Sequence, residues 1–451
     1  MNPKNYIQKY GGKGNGLIWL AENTDLGYTV PEFKIIDTSF YEECLKQELL
    51  AQLASQIYQL HNPDEKVTSR VERIPKRLEE KCRELSREFK GRAVSVRSSA
   101  VVSEDSDRFS GAGIYDTFFL SEEELNEKTL QEAVLKVYDS VNSPRAVKYR
   151  QEAGLKDERM AVVVQEINHE FSAYHGVMQS RLQDVSHIIP VSFSEDIGAV
   201  VSGDPNSKIN TVYFKKRFYE EPIRYKIAFA NDNLKQYIAD NVEKLILPLI
   251  LKLKKRYGRD FEAEFSAKLS HNNTGRIDLL QIRPLTNISD KKIRFPKKKP
   301  IFTTGFHGLC MGAGEYIGPW VIKDNVVKKE WKEPEHYSLV MGSLGKCATR
   351  TAKIWDDKGL TEAQPDYDAM TPKKRAIVLT CEMLFGSHAL TIAHEKGILC
   401  IGKNQDAFSD HFTKPDEEVS PYIHIVSNGI EGRVYEATKQ EAEAFAKRMK
   451  K

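Results

Sequence analysis

The sequence predicts a multidomain protein that combines the α/β and α+β fold classes. The chain has 451 residues, which is enough for two or three domains with substantial cores. Short strand-like runs alternate with stretches of helical periodicity, as layered folds of sheets and helices require. Near the C-terminal end, residues 376–397 follow the order of a buried strand, a turn and a helix.

The composition is typical of an ordinary globular protein, with 40% hydrophobic and 29% charged residues. A formal net charge of +3 gives no basic field, so no nucleic-acid partner is expected. The six cysteines show no CxxC spacing, which suits a reducing compartment and argues against zinc. The N-terminus lacks the apolar core of a signal peptide, and the most apolar window, residues 245–251, is too short to span a bilayer. We therefore expect a cytoplasmic protein without a membrane partner.

The N-terminal residues, about 1–90, are predicted to form an α-rich lobe, because residues 39–60 and 66–90 have helical periodicity. Within this lobe, Gly11-Gly12-Lys13-Gly14 combines closely spaced glycines with a cation. Such a segment lets backbone N–H groups approach phosphate oxygens, and Lys13 adds a point charge. An ordinary glycine-rich turn explains the same residues, since the segment is not a Walker A loop.

An arginine precedes the next glycine-rich segment. Residues 92–100 alternate apolar and polar side chains like a half-buried strand, and they carry Arg97 toward a loop at residues 104–117. The loop supplies flexible backbone donors and hydroxyl groups, as a flap over phosphates would. A hairpin turn explains the glycines of the loop but not the arginine placed before them.

The middle of the chain is predicted to contain further strands and helices. Helices are expected at residues 122–152 and 233–257, and strands at residues 160–165, 176–178, 187–191, 260–265 and 277–285.

The last two of these strands carry a group of polar side chains. Glu262 and Glu264 share one face of the first strand, and Gln281 and Arg283 share one face of the second. Adjacent carboxylates repel each other unless a cation or a basic group lies between them. If the strands pair, they present oxygen ligands for Mg²⁺ and a guanidinium for a terminal phosphate. A surface salt bridge between adjacent strands would account for the same residues.

The C-terminal region begins after a Lys- and Pro-rich run, residues 291–300, which we interpret as a solvated linker, with an anion-binding patch as the alternative. The apolar run at residues 376–380 is followed by Ser387 as a helix N-cap and Gly397 as the helix end. His388 then falls in the first turn, where the helix dipole attracts anions and disfavours imidazolium. Such an imidazole suits a nucleophile that attacks a phosphoryl group, although a solvated turn residue is the plainer interpretation.

The order of these motifs resembles that of the phosphoenolpyruvate synthase and pyruvate phosphate dikinase family of phosphohistidine phosphotransferases. The likeness extends from Gly11 to Tyr435. Glu262 matches the family's upstream metal-binding glutamate. The segments similar to family motifs are residues 11–14, 96–100, 104–117 and 280–286 and Ser387-His388-Ala389.

This resemblance implies an architecture for the chain. Residues 1–290 would form an ATP-grasp-type domain whose N-terminal lobe is about residues 1–90. Residues 291–303 would be a linker placed where a swivel hinge belongs. Residues 304–437 would form a compact swivelling β/α phosphohistidine domain, and residues 438–451 a polar terminal helix.

The resemblance also implies ATP and Mg²⁺ as cofactors and assigns the residues that bind them. His388 would receive a phosphoryl group from ATP, by way of a pyrophosphoryl intermediate, and pass it to an acceptor. Lys13, Arg97 and Arg283 would hold the ATP phosphates, and the backbone around Gln165-Glu166 would flank adenine. Metal binding would fall to Glu262 and Gln281. The full set of implied nucleotide-binding residues is Lys13, Arg97, Gly111, Gly113, Gln165, Glu166 and Arg283.

The sequence also departs from the family pattern. Met383, Leu384 and Gly386 replace two glycines and a threonine before the serine–histidine pair, His394 and Leu399 replace an arginine and a proline, and Gly111 replaces an aromatic residue. The chain does not continue into the barrel that binds pyruvate and phosphoenolpyruvate in family dikinases. We therefore expect an unidentified acceptor, either a small molecule or a group on a separately encoded subunit. The alternative function is an ATP-binding regulatory protein with a degenerate, non-catalytic histidine domain.

Overall fold

The structure is a computed structural model, and the chain divides into two compact units. The N-terminal unit contains the described residues of Met1–Asn23 and Val30–Glu170, and the C-terminal unit contains those of Thr24–Thr29, Phe171–Ile354 and Glu362–Lys451. The described residues are 4–47, 75–105, 109–111, 113–155, 158–167, 173–202, 207–217, 224–230, 236–269, 275–286, 288, 293–303, 309–311, 313–322, 337–341, 374–379, 394, 398–402, 422–429 and 431–449.

The N-terminal unit is built on a four-stranded antiparallel sheet. Its described helices are α1 (Lys4–Glu22), α2 (38–47), α3 (Lys76–Glu88), α4 (Glu127–Asp139) and α5 (Pro144–Glu152). Its strands are β1 (Phe33–Ile36), β2 (Val94–Ala100), β3 (Thr117–Leu120) and β4 (Met160–Glu166), in the spatial order β1-β4-β2-β3. Helix α1 packs on β2 and β4. Strand β2 is therefore buried on both faces, and Arg97 is its single half-exposed residue.

Local sequence signals fix where the helices of this unit begin. Asn126 accepts hydrogen bonds from the backbone N–H groups of Lys128 and Thr129, so it caps α4. Ser143 caps α5 in the same way, and Pro144 occupies the first helical position. The helix predicted over residues 122–152 is thus two helices joined by a short 3₁₀ turn.

The glycine–lysine segment is helical, whereas an ordinary turn was one of the two interpretations of the sequence. Gly11, Gly12, Lys13 and Gly14 lie within α1, and the helix is interrupted only at Gly11, whose φ is 68°. Glycines are poor helix formers, so local propensity favours a turn here. Packing of α1 against the sheet overrides that propensity, as the contacts of the site show below.

The C-terminal unit contains two sheets among its described residues. Strands β5 (Tyr174–Gln179), β6 (Ile188–Ser194), β7 (Asn210–Arg217), β8 (Arg224–Ala230), β9 (Phe261–Leu269) and β10 (Gly275–Pro284) form an antiparallel sheet in the order β10-β9-β5-β6-β7-β8. The described helices beside these strands are α6 (Ala199–Ser202), α7 (Gln236–Asn241) and α8 (Leu247–Tyr257), the last two joined by a π-helical turn. The strands predicted in this part of the chain are confirmed, and the helix predicted over residues 233–257 is confirmed for the described residues 236–257.

The second sheet is eight-stranded and mixed. Its strands are β11 (Phe302–Thr303), β12 (Leu309–Met311), β13 (Ala313–Ile322), β14 (Tyr337–Met341), β15 (Lys374–Leu379), β16 (Leu399–Gly402), β17 (Tyr422–Asn428) and β18 (Gly432–Glu436), in the order β11-β18-β17-β13-β14-β15-β16-β12. Strands β13 to β16 run parallel to one another, and β17 and β18 form an antiparallel hairpin. The strand predicted before His388 is thus present as β15. The turn and helix that follow it, including Met383, Leu384, Gly386, Ser387, His388 and Gly397, lie outside the described residues.

The chain end packs on this second sheet. Helix α9 (Lys439–Met449) lies against β13 and buries Ala442 and Phe445, the latter beside Tyr316 with ring centroids 6.1 Å apart. In the linker before the sheet, Lys298 Nζ donates a hydrogen bond to the carbonyl of Glu436 at 2.9 Å. Because α9 buries Ala442 and Phe445, the helix has one apolar face against the sheet and is polar on the other face. None of the described helices combines the length and hydrophobicity needed to cross a bilayer.

Candidate functional site

In the N-terminal unit, half-buried Lys13 forms an ion pair with a buried carboxylate. Its Nζ contacts the carboxylate of Glu104 and donates a hydrogen bond to Ser98 Oγ at 3.2 Å. Glu104 is 2% exposed. It also accepts hydrogen bonds from Ser98 Oγ at 3.0 Å and from the backbone N–H of Ala100 at 2.9 Å. We call Lys13, Ser98 and Glu104 the Lys13 cluster.

The glycines before and after Lys13 make this cluster possible. A Cβ added to Gly11 would lie 1.9 Å from the carbonyl oxygen of Ser99, and one added to Gly12 would lie 2.3 Å from the carbonyl oxygen of Glu104. Only glycine permits so close an approach, and Gly11 also has a left-handed backbone conformation. Gly11 and Gly12 therefore bring Lys13 against strand β2 and the loop after it.

That loop is anchored by Glu158, a residue that the sequence did not single out. Its carboxylate accepts hydrogen bonds from the consecutive backbone N–H groups of Val101, Val102 and Ser103 at 2.9–3.0 Å. The hydroxyls of Ser103 and Tyr115 also donate to it, and burial raises the pKa of Tyr115. Glu158 is 8% exposed, so this anchor is buried as well. It fixes the backbone directly before Glu104.

Gly111 and Gly113 lie in the same loop, and both have a left-handed backbone, with φ values of 58° and 63°. Both are buried. A Cβ on Gly111 would lie 2.4 Å from the carbonyl oxygen of Ser103, so the loop folds back onto its own first residues. The backbone N–H of Asp105 donates to the carbonyl of Ser110 at 3.0 Å, which closes the turn.

Arg97 and Gln165 meet on neighbouring strands of this sheet. Arg97 Nη1 donates a hydrogen bond to Gln165 Oε1 at 3.3 Å. Gln165 is 2% exposed, and its Nε2 has no hydrogen-bond partner in the described part of the chain. Glu166, the next residue, points to the opposite face of β4 and lies 3.4 Å from Arg92 Nη1. Gln165 and Glu166 thus occupy different environments.

In the C-terminal unit, Gln179, Glu262 and Arg283 lie side by side on β5, β9 and β10. Glu262 is opposite Arg283 in one strand pair and opposite Gln179 in the other, and Glu264 is opposite Gln281. The two strands that carry these side chains, β9 and β10, are therefore paired, which is the condition that the sequence left open. We call Gln179, Glu262 and Arg283 the Glu262 row.

Hydrogen bonds hold both oxygens of the central carboxylate in this row. Arg283 donates to Glu262 Oε1 from Nε at 2.9 Å and from Nη2, and Gln179 Nε2 donates to Oε2 at 2.5 Å. The Arg283 and Glu262 side chains are 8% and 5% exposed. The interaction is thus a buried ion pair, whereas the alternative interpretation of the sequence was a surface salt bridge. An ion pair removed from water is costly to break on one side only.

The side-chain oxygens of Glu262 and Gln281 fit Mg²⁺. In the ranges that the structure describes, no three His, Cys, Asp or Glu side chains group in a way that could hold a metal ion. Mg²⁺ needs no such group, since it binds through one or two carboxylates and the substrate phosphates. Glu262 Oε2 accepts one hydrogen bond and keeps a second lone pair, and the amide of buried Gln281 adds an oxygen.

His394, which stands where the family has an arginine, is held by a carboxylate in the C-terminal unit. Its Nε2 lies 3.1 Å from Asp184 Oδ2, and the same oxygen accepts the backbone N–H of Ala313 at 2.9 Å. His394 and Asp184 are both buried. A Cβ added to Gly429 would lie 3.2 Å from Asp184 Cβ, so the β17–β18 turn packs on the same residue.

The structure thus brings the predicted residues together in small groups, with Lys13 beside Glu104, Arg97 beside Gln165, and Glu262 beside Arg283. The functional candidates that the sequence did not identify are Glu104, Glu158 and Gln179. Gln179 had a usable signal, because it is a polar residue at the end of an apolar strand. Glu158 had none, since it lies in a short connection before β4.

Comparison with known proteins identifies the first part of the chain. The family model described as pyruvate phosphate dikinase, AMP/ATP-binding domain, matches residues 7–300. No curated protein matches the chain. Among solved structures, C-terminally truncated Cdc123 from Schizosaccharomyces pombe shares 14% identity and a TM-score of 0.28, covering 60% of this chain and 86% of that chain.

Proposed function

Because the chain belongs to the pyruvate phosphate dikinase AMP/ATP-binding domain family, we propose that it is an ATP-dependent phosphotransferase of the dikinase type. The family match over residues 7–300 is the observation that carries this proposal. Every residue assigned above to nucleotide or metal binding falls within the match.

We propose that Lys13, Arg97 and Arg283 bind the phosphates of ATP. Each of them already has an oxygen partner on the chain, namely Glu104, Gln165 or Glu262. These partners hold the cations in fixed positions, which lowers the entropy that must be lost when a phosphate binds. The backbone around Gln165 and Glu166 would flank adenine, and Gly111 and Gly113 would shape the loop over the phosphates.

Glu262 and Gln281 would hold Mg²⁺ at the phosphates. When bound, the metal neutralises negative charge that develops during phosphoryl transfer and orients the phosphates. Glu262 is suited to this role because two neighbouring strands fix both of its oxygens. Arg283 then contributes a guanidinium beside the same carboxylate.

We propose that His388 is the nucleophile that accepts the group from ATP. A neutral imidazole nitrogen would bond to the β-phosphorus while the bond to AMP breaks. Hydrolysis of the terminal phosphate would leave a phosphoryl group on His388, and that group would then pass to an acceptor. The motif Ser387-His388-Ala389 and its position after β15 support this assignment. The acceptor would be a small molecule or a group on a separate subunit.

Labelled ATP tests this proposal directly. The full chain is incubated with Mg²⁺ and ATP labelled at the β- or the γ-phosphate, and the protein is then isolated. We expect acid-labile, base-stable label on the wild type, retained from the β-position and lost from the γ-position. His388→Ala should carry none, while His187→Ala, a half-buried histidine of the C-terminal unit, should be labelled like the wild type.

Two outcomes would contradict the proposal. Label that persists in His388→Ala would exclude His388 as the nucleophile. A wild type that binds ATP but carries no label and releases no AMP would be an ATP-binding regulatory protein instead. If label forms but AMP release is slow, adding candidate acceptors and partner proteins in turn would identify the one that accelerates turnover.

A further inference from the structure

Gln179 lies beside Glu262, the proposed metal-binding carboxylate. The function proposed above gives Gln179 no role. Strand β5 lies next to β9, and Gln179 is the residue of β5 directly opposite Glu262. Because side chains of directly paired residues extend from the same face of a sheet, Gln179, Glu262 and Arg283 form one line across three strands.

The chemistry of this contact fixes the orientation of the Gln179 amide. A carboxylate can only accept hydrogen bonds, so the NH₂ group of Gln179 must face Glu262, and its Nε2 lies 2.5 Å from Oε2. The carbonyl oxygen, Oε1, is left over. Gln179 is 1% exposed, and Oε1 has no hydrogen-bond partner in the ranges that the structure describes.

A buried carbonyl oxygen without a partner is uncommon in native proteins and calls for a ligand or an ion. This one belongs to the residue that touches the proposed Mg²⁺ ligand, in a row that also contains a guanidinium. Amide and carboxylate oxygens are the hard donors that Mg²⁺ prefers.

We infer that Gln179 supplies a further oxygen ligand, through Oε1, to the divalent cation that accompanies the nucleotide. This inference rests on the proposed function, in which Glu262 and Gln281 hold the same cation. Gln179 thus has two roles in one amide: its nitrogen orients Glu262, and its oxygen binds the metal.

Two substitutions separate these roles. Gln179→Met preserves the volume of the side chain and removes both polar atoms. Gln179→Glu removes the N–H donor but keeps an oxygen at the same reach and adds a negative charge. The matched control is Gln131→Met, which replaces a buried glutamine of α4 whose amide donates to Glu127 at 3.3 Å.

The measurement is calorimetric binding of the β,γ-imido analogue of ATP to the full chain at a series of free Mg²⁺ concentrations. We expect Gln179→Met to raise the Mg²⁺ concentration needed for half-maximal binding by about tenfold or more, as loss of a metal-site residue does. Gln179→Glu should bind at least as well as the wild type, and Mg²⁺ should raise its thermal midpoint more than that of the wild type. Gln131→Met should not change the Mg²⁺ dependence.

The other outcomes overturn the inference in distinguishable ways. If both Gln179 variants match the wild type, Gln179 contributes nothing to metal binding. If both are weakened alike, Gln179 acts only by orienting Glu262. If Gln179→Met fails to fold, the result for Gln179→Glu decides alone, since weaker binding excludes an oxygen ligand. A wild type whose analogue binding does not depend on Mg²⁺ would overturn both this inference and the metal-binding part of the proposed function.

Discussion

The Lys13 cluster and the Glu262 row each pair a cation with a buried carboxylate, but they are assembled from different kinds of structure. Lys13 comes from a helix, Ser98 from a strand and Glu104 from the following loop. The Glu262 row comes from three hydrogen-bonded strands of one sheet. The cluster therefore depends on how closely two backbones approach, and the row depends on strand register.

The two groups also differ in how the carboxylate is supported. Glu104 has a backbone N–H and a hydroxyl as partners in addition to its cation. Glu262 has only side-chain partners in the hydrogen bonds described above, and both come from neighbouring strands. Removing one side chain should consequently lower the free energy of unfolding more in the Glu262 row than in the Lys13 cluster. The Lys13 cluster should be more sensitive to changes in the backbone.

The largest effect is expected for Glu262→Gln. Removing the charge leaves the Arg283 guanidinium buried without its counterion, which costs about 3–5 kcal/mol in comparable buried pairs. The free energy of unfolding, measured with urea, checks this value. Glu264→Gln is the matched control, because it lies on the same strand and is less buried. Equal stability of the two variants would show that the Glu262–Arg283 pair is not a tight buried interaction.

The double variant Glu262→Gln/Arg283→Met sharpens the same point. Replacing both charges removes the guanidinium together with the carboxylate, so part of the lost stability should return. If the double variant is less stable than Glu262→Gln, Arg283 stabilises the fold through contacts other than those with Glu262.

A second prediction concerns the backbone that supports the Lys13 cluster. Gly11→Ala would place a Cβ 1.9 Å from Ser99 O and would also strain a residue with φ of 68°, for a combined cost of about 3 kcal/mol. Gly154→Ala is the matched control, since Gly154 has φ of 70° but no atom within 4 Å of its added Cβ. It should cost about 1 kcal/mol.

Both variants strain the backbone, but only Gly11→Ala also brings a Cβ against Ser99. The difference between their free energies of unfolding therefore measures the effect of the close approach between α1 and β2. If their unfolding free energies agree, α1 does not pack closely against β2 in solution. The Lys13 cluster would then not depend on close approach of two backbones.

A third, smaller effect is expected for Lys13→Met. Glu104 loses its cation but keeps its hydrogen bonds to Ser98 and Ala100, so the cost should be about 1–2 kcal/mol. Affinity for the β,γ-imido analogue of ATP should fall about tenfold, because a charged contact to phosphate is lost. Lys9→Met, on the same helix with a side chain that is 57% exposed, is the control. Unchanged affinity in Lys13→Met would remove Lys13 from the nucleotide site.

The contrast between the two groups also explains what could be predicted from the sequence. Glu262 and Glu264 alternate with apolar residues, as do Gln281 and Arg283, so local periodicity assigns each pair to one face of its strand. The register that places Glu262 opposite Arg283 comes only from the strand pairing of the structure. The helical state of Gly11–Gly14 was not accessible in the same way, because it depends on packing against β2, which lies far along the chain.

Separation along the chain also explains why the sequence did not reveal the partners of Glu262, Lys13 and Glu158. Gln179 and Glu262 are separated by 83 positions, and Lys13 and Glu104 by 91. No local pattern indicates such partners, since each residue alone is compatible with a solvated surface. Glu158 likewise reaches backbone N–H groups 55–57 positions earlier. Sequence motifs could therefore identify candidate residues on each strand. Only the fold shows which of their polar groups form hydrogen bonds or ion pairs with each other.

The smallest effect is expected for Ser98→Ala, which tests whether the Lys13 cluster acts as one unit. Ser98 Oγ donates to Glu104 at 3.0 Å and accepts from Lys13 at 3.2 Å, so its removal should cost about 1 kcal/mol. Ser95→Ala, on the same strand with one 3.3 Å bond to the carbonyl of Gln165, should cost less. Unfolding of the double variant Ser98→Ala/Lys13→Met then measures their coupling. Because both residues bond to the same carboxylate oxygen, the combined cost should differ from the sum by about 0.5 kcal/mol or more. Strict additivity would mean that Ser98 and Lys13 stabilise the fold independently of each other, so that the Lys13 cluster does not act as one unit.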